Sequence, residues 1–280
     1  MKYSPKEMKQ SLEAQQFNFK KKFGQNFIVD ENIINAIVKK AEIDENCLVI
    51  EIGPGAGSLT YKLAQVASQV LCYEIDTKLE DVLQHNLRDC QNVTVLYQDF
   101  LEADVKIDIK QYQYDTLYVV ANLPYYITTP IIVKLIEDQI PVDKIVVMVQ
   151  KEVGNRFKAQ PGNKDYNSLS VYLNYYFDVT KLLDVSRNVF VPKPNVDSIV
   201  VQLKKKDQLF QLDHPPFFFQ LVRDAFRQKR KTLRNNLKAY NLDMIEQVLS
   251  KYHMDLSVRA EQLSITIFVE LANTLSRHSH

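Results

Sequence analysis

Short apolar runs recur along this chain and are separated, for most of its length, by stretches of helical periodicity. The runs are Cys47–Ile52, Val70–Ile75, Val93–Gln98, Thr116–Ala121, Ile145–Gln150 and Ser198–Leu203. The helical stretches are Glu31–Ala41 ahead of the first run, then Ser58–Ala67, Thr77–Arg88 and Thr129–Gln139. Strands that alternate with helices can be joined side by side only through crossovers, which predicts an α/β fold with a mostly parallel, doubly wound sheet. Thr77 and Glu80 have the spacing of a helix capping box. The pattern changes near residue 205, where Lys204-Lys-Lys-Asp and then His214-Pro-Pro read as a boundary. The expected organisation is a polar extension at 1–18, a Rossmann-like domain at 19–207 and a small helical domain at 208–280.

The C-terminal ends of the first four strands carry the chemistry. The first run leads into Glu51-Ile-Gly53-Pro-Gly55-Ala-Gly57, the second ends at Glu74, the third at Asp99 and the fourth at Asn122. The steps from Gly53 are 21, 25 and 23 residues, about one strand–helix unit each. In open α/β sheets ligands bind along that edge. The glycine loop lets backbone approach a ligand closely. An acid about 20 residues further on is placed for a ribose diol, so Glu74 is the expected ribose ligand. This much suits a nicotinamide dinucleotide or S-adenosylmethionine. The GxGxG spacing, with Ser58 where a dinucleotide fingerprint wants Gly or Ala, favours the second. So does Asp99 followed by Phe100, a carboxylate for an adenine amino group beside a ring that could pack on the base. Simpler readings compete: Glu74 as an exposed strand-end acid, Asp76 as a helix cap, Asp99 as a turn residue, and Tyr126, Tyr172, Tyr175 and Tyr176 as packing.

The fourth strand end is Asn122-Leu123-Pro124-Tyr125. Pro124 cannot continue a strand, so the turn presents an amide, a carbonyl and a ring together. That set suits methylation of an exocyclic amine on a flat base. The Asn122 oxygen and the Leu123 carbonyl could accept the two N–H groups, leaving the lone pair to attack, while Tyr125 stacks on the base.

Charge and composition narrow the partners. The 280 residues carry a net charge of +1, yet residues 1–22 have a surplus of +4 and residues 223–238 one of +6. Two basic ends suggest a polyanion. Arg223, Arg227, Arg230, Arg234 and Lys238 fall at helical spacing and read as one stripe, with Val222, Phe226, Leu233 and Leu237 about one residue round and buried. Repulsion along such a stripe is relieved by RNA phosphates; the alternative is a solvated face. No apolar run reaches the roughly 18–20 residues a membrane helix needs, and no secretory leader is expected. Cys47, Cys72 and Cys90 lack CxxC spacing and the five histidines lack ligand spacing, so reduced thiols in a cytosol, and no metal, are expected.

The assembled motifs resemble one family, the KsgA-type small-subunit rRNA adenine-N6,N6-dimethyltransferases, from Lys20 to about Asn273. Its hallmarks here are Lys22-Phe-Gly-Gln-Asn-Phe-Ile-Val-Asp30, Glu51-Ile-Gly-Pro-Gly55, Tyr73-Glu-Ile-Asp76, Gln98-Asp99, Asn122-Leu-Pro-Tyr125, Gln150-Lys-Glu-Val153, Phe190-Val-Pro-Lys-Pro-Asn-Val-Asp-Ser198 and the segment Phe226–Leu237. The resemblance implies a class I S-adenosylmethionine-dependent methyltransferase fold with a helical C-terminal domain. It implies dimethylation of two adjacent adenosines in the 3′-terminal hairpin of 16S rRNA, within the small ribosomal subunit or its precursor. It further implies cofactor contacts at Asn26, Ile28, Gly53, Glu74, Asp99 and Asn122, and makes Phe27 a neighbour of the target base. Tyr126 stands where the family often has Asn, a departure that leaves the Asn122-Leu-Pro-Tyr125 motif itself intact. The implied enzyme is cytoplasmic, monomeric and without a membrane partner. The competing readings are an erythromycin-resistance-type 23S rRNA adenine-N6 methyltransferase, a non-catalytic RNA-binding assembly or transcription factor, and, more distantly, a nicotinamide oxidoreductase.

Overall fold

The computed structural model describes Gln10 and residues 26–123, 127–207 and 210–277. The strands are β1 (Phe27–Ile28), β2 (Cys47–Ile52), β3 (Gln69–Tyr73), β4 (Val93–Leu96), β5 (Thr116–Asn122), β6 (Lys144–Gln150), β7 (Phe177–Val185), β8 (Phe190–Val191) and β9 (Ser198–Lys205). The helices that matter below are α1 (Glu31–Ala41), α2 (Ser58–Ala64), α3 (Glu80–Asn86), α4 (Ser168–Tyr176), α5 (Pro215–Ala225), α6 (Leu233–Asn236), α7 (Leu242–Ser250) and α8 (Ile265–Ser276).

Seven strands form one sheet in the order β4-β3-β2-β5-β6-β9-β7, and β1 and β8 form a separate two-stranded ribbon. The pairs β2/β3, β3/β4, β2/β5 and β5/β6 are parallel, whereas β9 returns antiparallel on β6. All six residues of β2 are buried, as a central strand covered on both faces requires. The order reverses between β2 and β5, which makes that edge the switch point where an open α/β sheet binds its ligand.

Two compact units divide the chain. One runs up to Gly154 and resumes with Thr180–Lys204; the other comprises Asn155–Val179 and the residues from Lys205 on. In the second unit, Tyr172 packs edge-on against Phe219 at 5.1 Å and its hydroxyl donates to the Phe219 carbonyl. The Tyr175 hydroxyl likewise donates to the Phe210 carbonyl. These tyrosines serve packing, and Tyr172 ties α4 to α5 across 47 positions in sequence.

Local chemistry moved several boundaries. The cap of the segment after β3 is Asp76, which accepts the Lys78 N–H. The chain then makes a 3-10 turn at Thr77–Leu79 before α3 begins, so the Thr77/Glu80 capping box does not form. β7 has no counterpart among the expected strands; its burial alternates poorly, which hides it from pattern reading. The basic stripe is not one helix. α5 stops at Ala225 and α6 starts at Leu233, and consecutive cations at Lys229, Arg230 and Lys231 occupy the break. Asn236 closes it by donating from its side chain to the carbonyls of Ala225 and Gln228, a helix-end acceptor that would otherwise be left over.

Candidate active site

The β2–α2 connection holds Gly53, Gly55 and Gly57, all at positive φ (71, 60 and 85°). A side chain at Gly55 would also collide with the Phe27 ring, 2.6 Å from a built Cβ, whereas the space beyond Gly53 is open. Phe27 is therefore packed onto the glycine loop, among Ala56, Leu79, Val82, Leu83 and Leu87. Ile28 lies in the main core.

Glu74 follows β3 and is 4% exposed, which removes the reading of an exposed strand-end acid. One carboxylate oxygen accepts the Gly55 N–H at 3.2 Å and the other the Asp76 N–H at 2.8 Å. Burial pushes its pKa up to about 7, and these two N–H groups work against the rise. Glu74 thus fixes the loop on which a ligand would rest.

Glu51 was missed by sequence reasoning as a site residue, although a lone carboxylate in an apolar strand was a visible signal. It is 2% exposed, accepts the Cys72 thiol at 3.8 Å, and has its pKa pushed up to about 8 by burial, with the charge of Glu74 adding to the rise. Two carboxyl groups of reluctant acidity therefore underlie the glycine loop.

Asp99 is half-buried and one of its oxygens accepts the Leu101 N–H at 2.9 Å, so it does make a turn. Its aromatic neighbour does not form an open platform: Phe100 is 3% exposed and packs edge-on against Tyr73 at 5.1 Å.

Asn122 is the last residue of β5, and its Nδ2 donates to the Asn26 main-chain carbonyl at 2.8 Å. A carbonyl accepts only from a donor, so this bond fixes which way the amide faces. Leu123 follows it, 1% exposed. Pro124, Tyr125 and Tyr126 lie outside the described residues. Gly53, Glu74, Asp99 and Asn122 therefore stand at the C-terminal ends of neighbouring strands, as their spacing in sequence requires, and Asn26 meets Asn122 directly.

In the second unit Arg223 lies in the last turn of α5, Arg227 and Arg230 in the break, Arg234 in α6 and Lys238 just after it; all five are exposed. Val222, Leu233 and Leu237 are fully buried and Phe226 partly so. The polar and apolar sides separate as expected, without one continuous helix. Among the described residues no group of His, Cys, Asp and Glu could hold a metal ion, and no helix is long and apolar enough to cross a membrane.

The ribosomal RNA adenine dimethylase family profile matches residues 16–277. A Bacillus mycoides protein named ribosomal RNA small subunit methyltransferase A is 45% identical over 285 residues, covering 98% of this chain and 97% of its own length. The protein of the same name from Bacillus cytotoxicus is 45% identical over 286 residues. Among solved structures, a dimethyladenosine transferase from Plasmodium falciparum superposes with a TM-score of 0.73 at 28% identity, over 88% of this chain and 95% of that one. The 23S rRNA methyltransferase ErmE shares the fold, with a TM-score of 0.66 at 24% identity, over 89% and 99%. A class I methyltransferase sheet, its glycine edge and a near-full-length family match lead to one conclusion: the chain belongs to the ribosomal RNA adenine dimethylase family and is an rRNA-modifying methyltransferase.

Proposed function

We propose that the chain transfers methyl groups from S-adenosylmethionine to N6 of two adjacent adenosines in the 3′-terminal hairpin of 16S rRNA, in the small ribosomal subunit or its precursor. The near-full-length likeness to proteins named small subunit methyltransferase A supports the choice of subunit. One geometric observation carries the chemistry. Because the Asn122 Nδ2 is committed to the Asn26 carbonyl, the amide turns its oxygen the other way, and an acceptor is what an adenine N6–H needs.

The residues of the strand edge fit a nucleoside cofactor. Open space beyond Gly53 admits a ligand against the backbone, Glu74 would take the ribose diol, and the second Asp99 oxygen would take the adenine amino group. Asn26, Ile28 and Asn122 complete the set. When bound, the cofactor supplies an electrophilic methyl on a sulfonium. The protein's share is placement. Asn122 Oδ1 and the Leu123 carbonyl would hold the amine so that its lone pair faces the methyl, and the Tyr125 face would stack on the base. Hydrogen bonds that favour a pyramidal amine over the planar ground state lower the barrier. No strong base is required, because the alkylated amine loses its proton readily. The adenine must leave its stack to reach the turn, and Phe27, set on the glycine loop, would border it. The exposed Arg223, Arg227, Arg230, Arg234 and Lys238 would meet RNA phosphates. This reading takes the enzyme to act as a monomer in the cytoplasm.

The test is to incubate the protein with labelled S-adenosylmethionine and a mixture of unmethylated small and large subunits, then map the product. Label on two neighbouring adenosines of the 3′-terminal hairpin is the expected result. Label confined to large-subunit RNA would favour the erythromycin-resistance type, and binding without transfer the non-catalytic factor.

A further inference from the structure

The motif Phe190-Val-Pro-Lys-Pro-Asn-Val-Asp-Ser198 has no task in the chemistry above. The ribbon gives it one. β8 pairs antiparallel with β1, Phe27 against Val191 and Ile28 against Phe190, and the Val29 N–H donates to the Val189 carbonyl at 2.8 Å. The residue just ahead of β1 is Asn26, whose carbonyl receives the Asn122 amide from 96 positions away.

The far end of the ribbon is tied to the sheet through Asp197. Its side chain accepts the Arg187 N–H at 3.0 Å, and the Arg187 guanidinium donates to the Asn195 carbonyl at 2.8 Å. Its main-chain carbonyl accepts the Lys151 N–H at 3.1 Å. The next residue, Ser198, begins β9 opposite Gln150 of β6. Two residues earlier in β6, Met148 sits opposite Asn122. The connections close a ring: Asn122, β6, Asp197, the ribbon, the Asn26 carbonyl, and Asn122 again.

We propose that the Asn26 main-chain carbonyl orients the Asn122 amide for attack and that the 187–198 segment is the splint that holds this carbonyl in place, with Asp197 as a positioning residue. The role rests on the methyl-transfer reading given to Asn122 above. An asparagine amide has two faces of opposite character. Flipped, it would point N–H groups at an amine that itself donates, and the acceptor would be lost. The ring also accounts for Asn rather than Asp at this position, since a carboxylate would set an anionic oxygen against the Asn26 carbonyl with no proton between them.

The experiment compares Asp197→Ala, Asp197→Asn and Asn122→Asp with wild type in single-turnover methyl transfer, cofactor binding and thermal unfolding. Asp197 is exposed, and thermal unfolding checks that its variants keep the fold. Asp197→Ala is expected to lower the single-turnover rate by about tenfold, within what a small misplacement of a reacting group costs, with a smaller loss of cofactor affinity because Asn26 and Ile28 would also border the cofactor. Asp197→Asn, which keeps the acceptor, is expected to restore the rate. In an Asn122→Ala background Asp197→Ala should cost nothing more, because no amide is left to orient. Multiplying losses, or an unchanged rate in Asp197→Ala, would overturn the proposal, as would wild-type turnover in Asn122→Asp. A readout independent of turnover is the Asn122 side-chain amide resonance, assigned by its loss in Asn122→Ala. Slowed hydrogen exchange that Asp197→Ala abolishes supports the splint even if the RNA acceptor proves to be another, and unprotected exchange in wild type refutes it.

Discussion

Glu74 holds the glycine loop and is proposed for a second task. Its oxygens receive the Gly55 and Asp76 N–H groups, and its place after β3 is that of a ribose ligand. Glu74→Ala should weaken S-adenosylmethionine binding by about 1.5–3 kcal/mol, the range for hydrogen bonds to a charged group, and it should also loosen the glycine loop. Calorimetry on the folded variant checks this, and wild-type affinity would remove Glu74 from the site. Gly55 is constrained twice, by φ of 60° and by the Phe27 ring. Gly55→Ala should cost about 1–2 kcal/mol from the left-handed backbone alone, with the ring collision on top. Urea unfolding of Gly55→Ala, Phe27→Ala and the double variant separates the two: the double variant should lose less than the singles combined, because removing the ring relieves the collision and leaves the strain.

At the scale of elements, most of the sheet was legible because parallel strands buried on both faces write themselves as unbroken apolar runs. β2 and α1 match their expected bounds. Expectation departed where tertiary contacts decide. β7 presents a mixed face to its surroundings, so no period marks it. Asp76 outcompeted Thr77 as a cap because its carboxylate reaches the Lys78 N–H. The basic stretch has the spacing of one helix, yet the helix ends at Ala225, where the Asn236 side chain donates to the carbonyls of Ala225 and Gln228. The candidate site was legible at Gly53, Glu74, Asp99 and Asn122, whose spacing follows from the strand–helix repeat. Asn26 and Ile28 came only from family resemblance, since nothing local to them points to Asn122. The break changes what the basic residues can do: cations on a turn between two short helices can follow a curved backbone. Changing Arg227, Arg230 and Arg234 to Gln should reduce RNA affinity and flatten its salt dependence, by up to about 0.9 in log–log slope per lost phosphate contact. Filter binding across a salt series measures it. An unchanged slope would return this stretch to a solvated surface, and cofactor affinity should not move in either case.

For the whole molecule, the two buried carboxyls set a pH dependence of stability. The pKa values of Glu51 and Glu74 are raised to about 8 and about 7. Between the ordinary carboxylate range and these values the folded chain keeps protons that the unfolded chain has released. Stability is therefore greatest at the acid end of that window and falls as pH rises through it. Glu51→Gln should flatten this fall by up to about 1.4 kcal/mol per pH unit, the weight of one proton. Urea midpoints from pH 5 to 8.5 would show it, and parallel curves for the variant and wild type would mean that Glu51 is already ionised in the fold.

On the proposed reading one base occupies the site at a time, so two neighbouring adenines would enter in succession. Each must be repositioned between methyl groups, because a monomethylated amine offers only one N–H to Asn122 and Leu123. Single-stranded loops with splayed bases meet that need. Mass spectrometry of ribosomal RNA from cells with and without this gene tests the account directly. It predicts N6,N6-dimethyladenosine at two adjacent positions of small-subunit RNA, both lost together in the cells that lack the gene, with monomethyl species only transient. Persistence of both small-subunit marks, with loss of a methyl group from a large-subunit adenine instead, would contradict it.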